Sequence, residues 1–223
     1  MKILVVAAHP DDEILGCGGT ISRLSRRHEV HTIILGEGIT SRKITPREKR
    51  VRVKALKEQA ESARQVTGVR DISFCDLPDN CFDTIPLLII IQRIEKISSD
   101  IGPDQVFTHH PGDLNIDHQI THRAVMTAFR PAPDLPVKRL MAFEILSSTE
   151  WGDPAWGTFS PNLYVDISST LEKKIEAMER YVSEVRTPPH PRSRWGIETL
   201  ARMRGMEAGL PAAEAFRILR CLE

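Results

Sequence analysis

Residues 9–13, HPDDE, place one imidazole and three carboxylates directly behind the apolar run VVAA. Such a crowd of acids is costly to bury without a counter-charge. A divalent cation supplies one. Asp11 and Asp12 are adjacent, so their side chains diverge and serve different tasks. His9 and Asp12 converge if the chain turns sharply, and Pro10 between them helps set that turn. A catalytic zinc takes three protein ligands and keeps one position open. A third ligand is available in a second polar cluster, THHPGDLNIDH at 108–118, as His118. His9, Asp12 and His118 make a two-histidine, one-carboxylate set, which suits zinc and also non-haem iron(II). Asp117, next to His118, is placed to hold an imidazole by its other nitrogen. Asp11 is left over, one residue from a ligand, in the position of a general base. A metal that acidifies water to a pKa of about 7 and polarises a carbonyl, beside a base, is the machinery of hydrolysis.

Other readings of these residues are weaker. Acids before a helix can serve as a cap and favour the helix dipole, but that accounts for neither His9 nor the second cluster. Cys17 is close enough to be a soft ligand, and reads more simply as a small hydrophobe. His122, one turn after His118, is a fourth ligand or, by preference, ordinary packing. His109 and His110 point in different directions, so one of them faces the site. His28 and His31 flank the second strand and are expected at the surface.

The elements that must position these groups follow from hydrophobic periodicity. Strands are expected at 2–8, 30–36, 72–75, 105–108, 140–146 and 163–167. Helices are expected at 13–27, from Pro46 onward, and at 87–101, 117–129 and 171–185, with two short helices closing the chain. Strands alternating with helices imply an α/β fold, a Rossmann-like, doubly wound and mostly parallel sheet with helices on both faces. The expected strand order begins 3-2-1-4. Strands 1 and 4 are then neighbours where the winding reverses, and such sheets bind ligands at the carboxyl ends beside that reversal. The two polar clusters end those two strands.

Composition is that of an ordinary globular protein. The 223 residues read as one domain, 1–223, with 30 basic and 30 acidic side chains giving a formal net charge of zero. That balance makes no electrostatic case for nucleic acid or an anionic membrane. The most apolar stretch, Ile85 to Ile91, is too short to cross a bilayer, and the N-terminus reads as a strand rather than a leader. A cytoplasmic location with reduced cysteines is the expectation. No G-x-G-x-x-G or P-loop opens the first helix, and acids stand where a pyrophosphate would sit, which argues against a nucleotide-binding module.

With AHPDDE at 8–13, LPDN at 77–80, FTHHPGDLNIDH at 107–118, HPRS at 190–193, RG at 204–205 and AEAF at 213–216, the chain resembles the PIG-L/LmbE-like zinc-dependent deacetylases. The resemblance spans nearly the whole chain. It implies a Rossmann-like fold, zinc on His9, Asp12 and His118, Asp11 as base, and removal of an N-acetyl group from an N-acetylglucosamine-containing small glycoside. Many members carry a histidine three residues before the last ligand, and here that position is Asn115. A neutral amide donates a hydrogen bond but is no general acid, so His110 and His190 are the candidates for the acid or oxyanion role. Arg64, Asp79, Asn115 and Arg192 are candidate substrate contacts. Trp151 and Trp156 form either a stacking platform or a satellite apolar cluster. An amidase for another acyl amide, such as a thiol conjugate, and a sugar-binding member without turnover are the alternatives. A homo-oligomer is compatible with all of them.

Overall fold

A computed structural model describes residues 1–39, 45–131 and 137–222. Its strands are β1 (Lys2–Ala7), β2 (Glu29–Gly36), β3 (Asp71–Leu77), β4 (Gln105–His109), β5 (Arg139–Phe143), β6 (Leu163–Asp166) and β7 (Ala213–Cys221). Its helices are α1 (Asp12–Leu24), α2 (Pro46–Thr67), α3 (Leu87–Ile101), α4 (Ile116–Ala128), α5 (Leu171–Glu179) and α6 (Arg194–Ala208). The strands form one sheet in the order β3-β2-β1-β4-β5-β7-β6. β1 to β5 run parallel, and β7 runs antiparallel to both β5 and β6. This is the expected Rossmann-like fold, with the winding reversal between β1 and β4.

β1 shows why its sequence is apolar throughout. Ile3 and Val5 enter one core, with α1, α2, α5 and α6. Leu4, Val6 and Ala8 enter the other, with α3 and α4. A strand covered on both faces has no polar side to display.

The first helix, α1, lies tight against the sheet. A Cβ on Gly16 would come within 2.4 Å of the Phe143 ring, and one on Gly19 within 2.9 Å of Ile167. The helix is broken at Cys17 (φ −148°), which frees backbone groups that a buried ion pair then satisfies. Glu214 of β7 accepts from the amides of Gly19 (2.9 Å) and Thr20 (2.7 Å). Lys174 of α5 donates to Leu15 O (2.8 Å) and pairs with Glu214 (2.7 Å).

Three expectations are corrected. The chain ends in helix α6 and strand β7, not two helices. AEAFRILR is rich in helix formers, but its first four residues are buried between β5 and β6, and tertiary pairing decides. Helix α5 stops at Glu179 rather than Val185. His31 is buried within β2, its Nδ1 2.8 Å from Asp71 Oδ1, rather than at the surface.

Candidate metal centre

The carboxyl ends of β1 and β4 deliver the two polar clusters to one small cavity of about 140 Å³, lined among others by His9, Asp11, Asp12, Asn115 and Arg192. The turn after β1 is strained. Asp11 has φ 99°, a conformation non-glycine residues avoid. Its carbonyl accepts from the amides of Ile14 (3.0 Å) and Leu15 (2.9 Å). Its own amide donates to Glu13 Oε2 (3.1 Å). Glu13 is in turn held by the buried hydroxyl of Tyr181. This turn sends Asp11 and Asp12 to different places, as adjacent side chains must go.

His9, Asp12 and His118 come together, all buried, with ligand atoms within 4.8 Å of one another. Asp12 Oδ2 stands 3.5 Å from His9 Nδ1 and 3.2 Å from His118 Nε2. Tetrahedral donors at bond lengths near 2.0–2.1 Å sit about 3.3 Å apart, so both separations from Asp12 suit a zinc-sized ion. The outward nitrogens meet carboxylates. His9 Nε2 lies 2.9 Å from Asp117 Oδ2 and 3.2 Å from Asp79 Oδ1. His118 Nδ1 lies 3.1 Å from Asp113 Oδ1. Carboxylates behind both imidazoles orient their inner nitrogens toward the shared point. His9, Asp79 and Asp117 make a second close group, but both Asp117 oxygens already accept backbone amides, of Asn80 (2.7 Å) and Phe82 (2.9 Å).

Electrostatics without a bound ion reflect the same crowding. Burial alone would lower the His9 pKa, but Asp117 and Asp12 outweigh it and push it up to about 10. His118 is likewise raised to about 9 against burial, by Asp12 and Asp113. Burial works against ionised Asp12, yet the surrounding imidazoles hold it well below the usual carboxylate range. Burial raises Asp11 well above that range, and the Arg192 guanidinium offsets only part of the effect. Burial also pushes Glu13 up to about 7, against its bond from Tyr181. Asp113 is held down to about 2, since His118 and two hydroxyl donors outweigh its burial.

Several candidates take other places. Asn115 lines the cavity as the cap of α4, its Oδ1 accepting from the Asp117 amide (2.9 Å). Asp79 lines it too, after β3. Arg192 reaches it from the 186–193 loop, its Nη1 2.9 Å from Asp11 Oδ2. His110 is turned away, its Nε2 3.0 Å from Gly157 O and its ring against Phe159. His190 also stands outside, accepting the Arg192 amide at Nδ1 (3.1 Å) with its ring edge-on to Trp151. Trp151 and Trp156 are exposed. Arg64 lies at the opposite edge of the sheet, donating to the carbonyls of Val69 and Arg70 just before β3. There it closes the end of α2, far from any β-strand carboxyl end. Cys17 is buried, its thiol pushed up by burial and donating to Glu13 O, and it belongs to neither close donor group among the described residues. His122 donates from Nδ1 to His109 O (2.8 Å) and packs. Of the adjacent histidines, His109 faces inward. Its Nε2 accepts the Ala8 amide (2.8 Å), so the ring is a neutral plate stacked on His118, centroids 4.0 Å apart.

Two residues carry weight that sequence reasoning missed. Asp113, fully buried, accepts from Asn115 N (2.8 Å), Thr149 Oγ1 (2.6 Å) and Ser148 Oγ while it backs His118. The signal was present as the acid in GDLNIDH. Tyr181 had no signal, because its contact with Glu13 spans 168 residues.

The PIG-L profile, described as GlcNAc-PI de-N-acetylase, matches residues 4–129. The chain belongs to the PIG-L family. A probable N-acetyl-α-D-glucosaminyl L-malate deacetylase 2 of Bacillus anthracis is 25% identical over 192 residues, 83% of this chain and 82% of that one. The N,N′-diacetylchitobiose deacetylase of Pyrococcus horikoshii, solved with an inhibitor, superposes with a TM-score of 0.78 at 22% identity, covering 98% of this chain and 83% of that one. GalB, the 4-carboxy-2-hydroxymuconate hydratase of Pseudomonas putida KT2440, superposes nearly as well, at 0.76 and 19% identity over 100% of this chain and 98% of its own. One fold thus hosts both a deacetylase and a hydratase, so the reaction has to be argued from the site. Among the described residues no helix is long and apolar enough to cross a membrane.

Proposed function

We propose that this PIG-L family member is a metal-dependent hydrolase that removes an N-acetyl group from an N-acetylglucosamine-containing small glycoside. The observation that carries the reading is Asp11. It stands beside the His9–Asp12–His118 group, and a strained backbone keeps it there, although holding an ion does not need it. A carboxylate placed so is explained by proton transfer.

Zinc, or iron(II) on the same donors, would polarise the acetamide carbonyl and lower the pKa of water. His9, Asp12 and His118 would hold it, backed by Asp117 and Asp113. Asp11 takes the proton of the attacking water and passes it to the departing nitrogen. Asp79 and Asn115, on the cavity wall, offer one acceptor and one amide to sugar hydroxyls. A cavity of about 140 Å³ is smaller than the roughly 300–1,000 Å³ of a whole-ligand pocket. It suits the acetamide end of a substrate, with the aglycone outside. The deacetylase relatives, which act on N-acetylglucosaminyl malate and diacetylchitobiose by their names, support that substrate class.

The test is acetate release from a panel of N-acetylglucosamine glycosides by zinc-loaded protein, with Asp11→Asn alongside. Release by the parent and its loss in the variant is the expected result. No release from any glycoside by protein that holds its metal would overturn the reading.

A further inference from the structure

Among the described residues, none of the three candidate positions for the oxyanion role, Asn115, His110 and His190, aims an imidazole into the cavity. Asn115 spends its carbonyl oxygen on the cap of α4, and His110 and His190 are both turned to backbone partners outside the cavity. Among the described residues, one basic side chain other than histidine lines the cavity: Arg192. It is anchored on three sides. Nε donates to Ser147 Oγ (2.8 Å), and Nη1 lies 2.9 Å from Asp11 Oδ2 and 3.5 Å from Glu184 Oε2. The backbone amide of Arg192 is pinned by His190. Nη2, on the same rigid fork, makes no hydrogen bond among the described residues.

We propose that Arg192 is a catalytic residue, the cationic donor to the tetrahedral oxyanion, in the place the resemblance gives to a histidine. This rests on the deacetylase reading above and deepens it. The electron flow explains why the guanidinium touches the base. Asp11 takes a proton from water, the water oxygen bonds to the acetamide carbon, and the carbonyl π pair moves onto its oxygen. One negative charge has then passed from Asp11 to the oxyanion. When the C–N bond breaks, the oxyanion pair re-forms the carbonyl, the proton on Asp11 goes to the nitrogen, and acetic acid, which ionises to acetate by giving its proton to solvent, leaves with a free amine. A planar fork on the cavity wall that holds Asp11 by one nitrogen and has another without a hydrogen bond among the described residues could follow that charge without moving. Donors fixed in advance where charge develops are the strongest electrostatic aid to such a reaction.

The experiment compares Arg192→Ala and Arg192→Lys with the parent, all metal-loaded and with metal content measured. Kinetics are read beside calorimetric binding of two ligands. One is the neutral methyl glycoside of N-acetylglucosamine. The other is the N-methylphosphonamidate of glucosamine, a tetrahedral anion. The expected result for Arg192→Ala is a kcat lower by about 10²–10³-fold with KM within about threefold. The tetrahedral anion should lose at least about tenfold in affinity and the neutral glycoside almost none, since only the former resembles the transition state. Added guanidinium should restore part of the rate. Equal weakening of both ligands would make Arg192 a sugar anchor and overturn the assignment. So would unchanged kcat, or loss of metal that accounts for the lost rate. If Arg192→Ala does not fold, Arg192→Lys must show the same split between the two ligands. Parent protein that releases no acetate overturns the deacetylase reading and this assignment together, whereas active parent with active variants overturns this assignment alone.

Discussion

Asp113→Asn isolates the contribution of a residue that never touches the proposed ion. Asp113 is completely buried and its Oδ1 lies 3.1 Å from His118 Nδ1. Asparagine has the same shape. Its carbonyl oxygen can replace Oδ1, keeping the bond from Asn115 N, and its amide can occupy the Oδ2 position, where Thr149 Oγ1 turns from donor to acceptor. The fold therefore loses little, while His118 loses the negative charge that orients it and raises its basicity as a ligand. Removing such a partner typically weakens metal affinity by 10–100-fold, which is about 1.4–2.7 kcal/mol. Competition against a chromophoric chelator measures this directly. In a double-mutant cycle, Asp113→Asn added to His118→Ala should weaken binding no further, because the carboxylate acts through that ring. Metal affinity within twofold of the parent would refute the reasoning. So would an undiminished Asp113→Asn effect in the His118→Ala background, which would show that the carboxylate acts on the site by another route.

Three further outcomes are expected. Chelating the metal should lower thermal stability, since an ion at 1,000 times its Kd contributes about 4 kcal/mol, or roughly 8–16 °C for a chain of this size; an unchanged melting temperature in calorimetry would mean that no ion binds the native fold selectively. Lys174→Met strands the Glu214 carboxylate in the core beside the broken turn of α1 and should cost about 3–5 kcal/mol in urea unfolding, with Lys174→Met/Glu214→Gln recovering part; a loss below 1 kcal/mol would show the pair to be dispensable. Gly16→Ala drives a methyl into the Phe143 ring and should destabilise by about 1–3 kcal/mol, whereas Gly209→Ala, with no atom within 4 Å of the added Cβ, should show only the backbone cost of its positive φ.

The sequence by itself determined the alternation of strands and helices, the order that begins 3-2-1-4, and the meeting of HPDDE with GDLNIDH at the reversal. Those features are local or topological. Apolar periodicity marks an element, handedness limits how elements connect, and the connection dictates which strand ends become neighbours. His9, Asp12 and His118 could be grouped on that basis, because His9 and Asp12 follow β1 directly and His118 stands in the first turn of the helix after β4. Tertiary structure decided what depends on side-chain direction and distant partners. AEAFRILR became β7 because pairing between β5 and β6 outweighed its helical composition. Arg64, a candidate contact by residue type, closes a helix at the wrong edge of the sheet. His110 was a candidate by its place just upstream of Asn115 and His190 as the histidine of PPHPRS, yet a carbonyl and a backbone amide claim their rings. Asp113 behind His118, Tyr181 behind Glu13 and Arg192 on Asp11 could be seen only in space. The last two join residues more than 160 positions apart, and no periodicity in a chain records which of its polar groups will share one buried cavity.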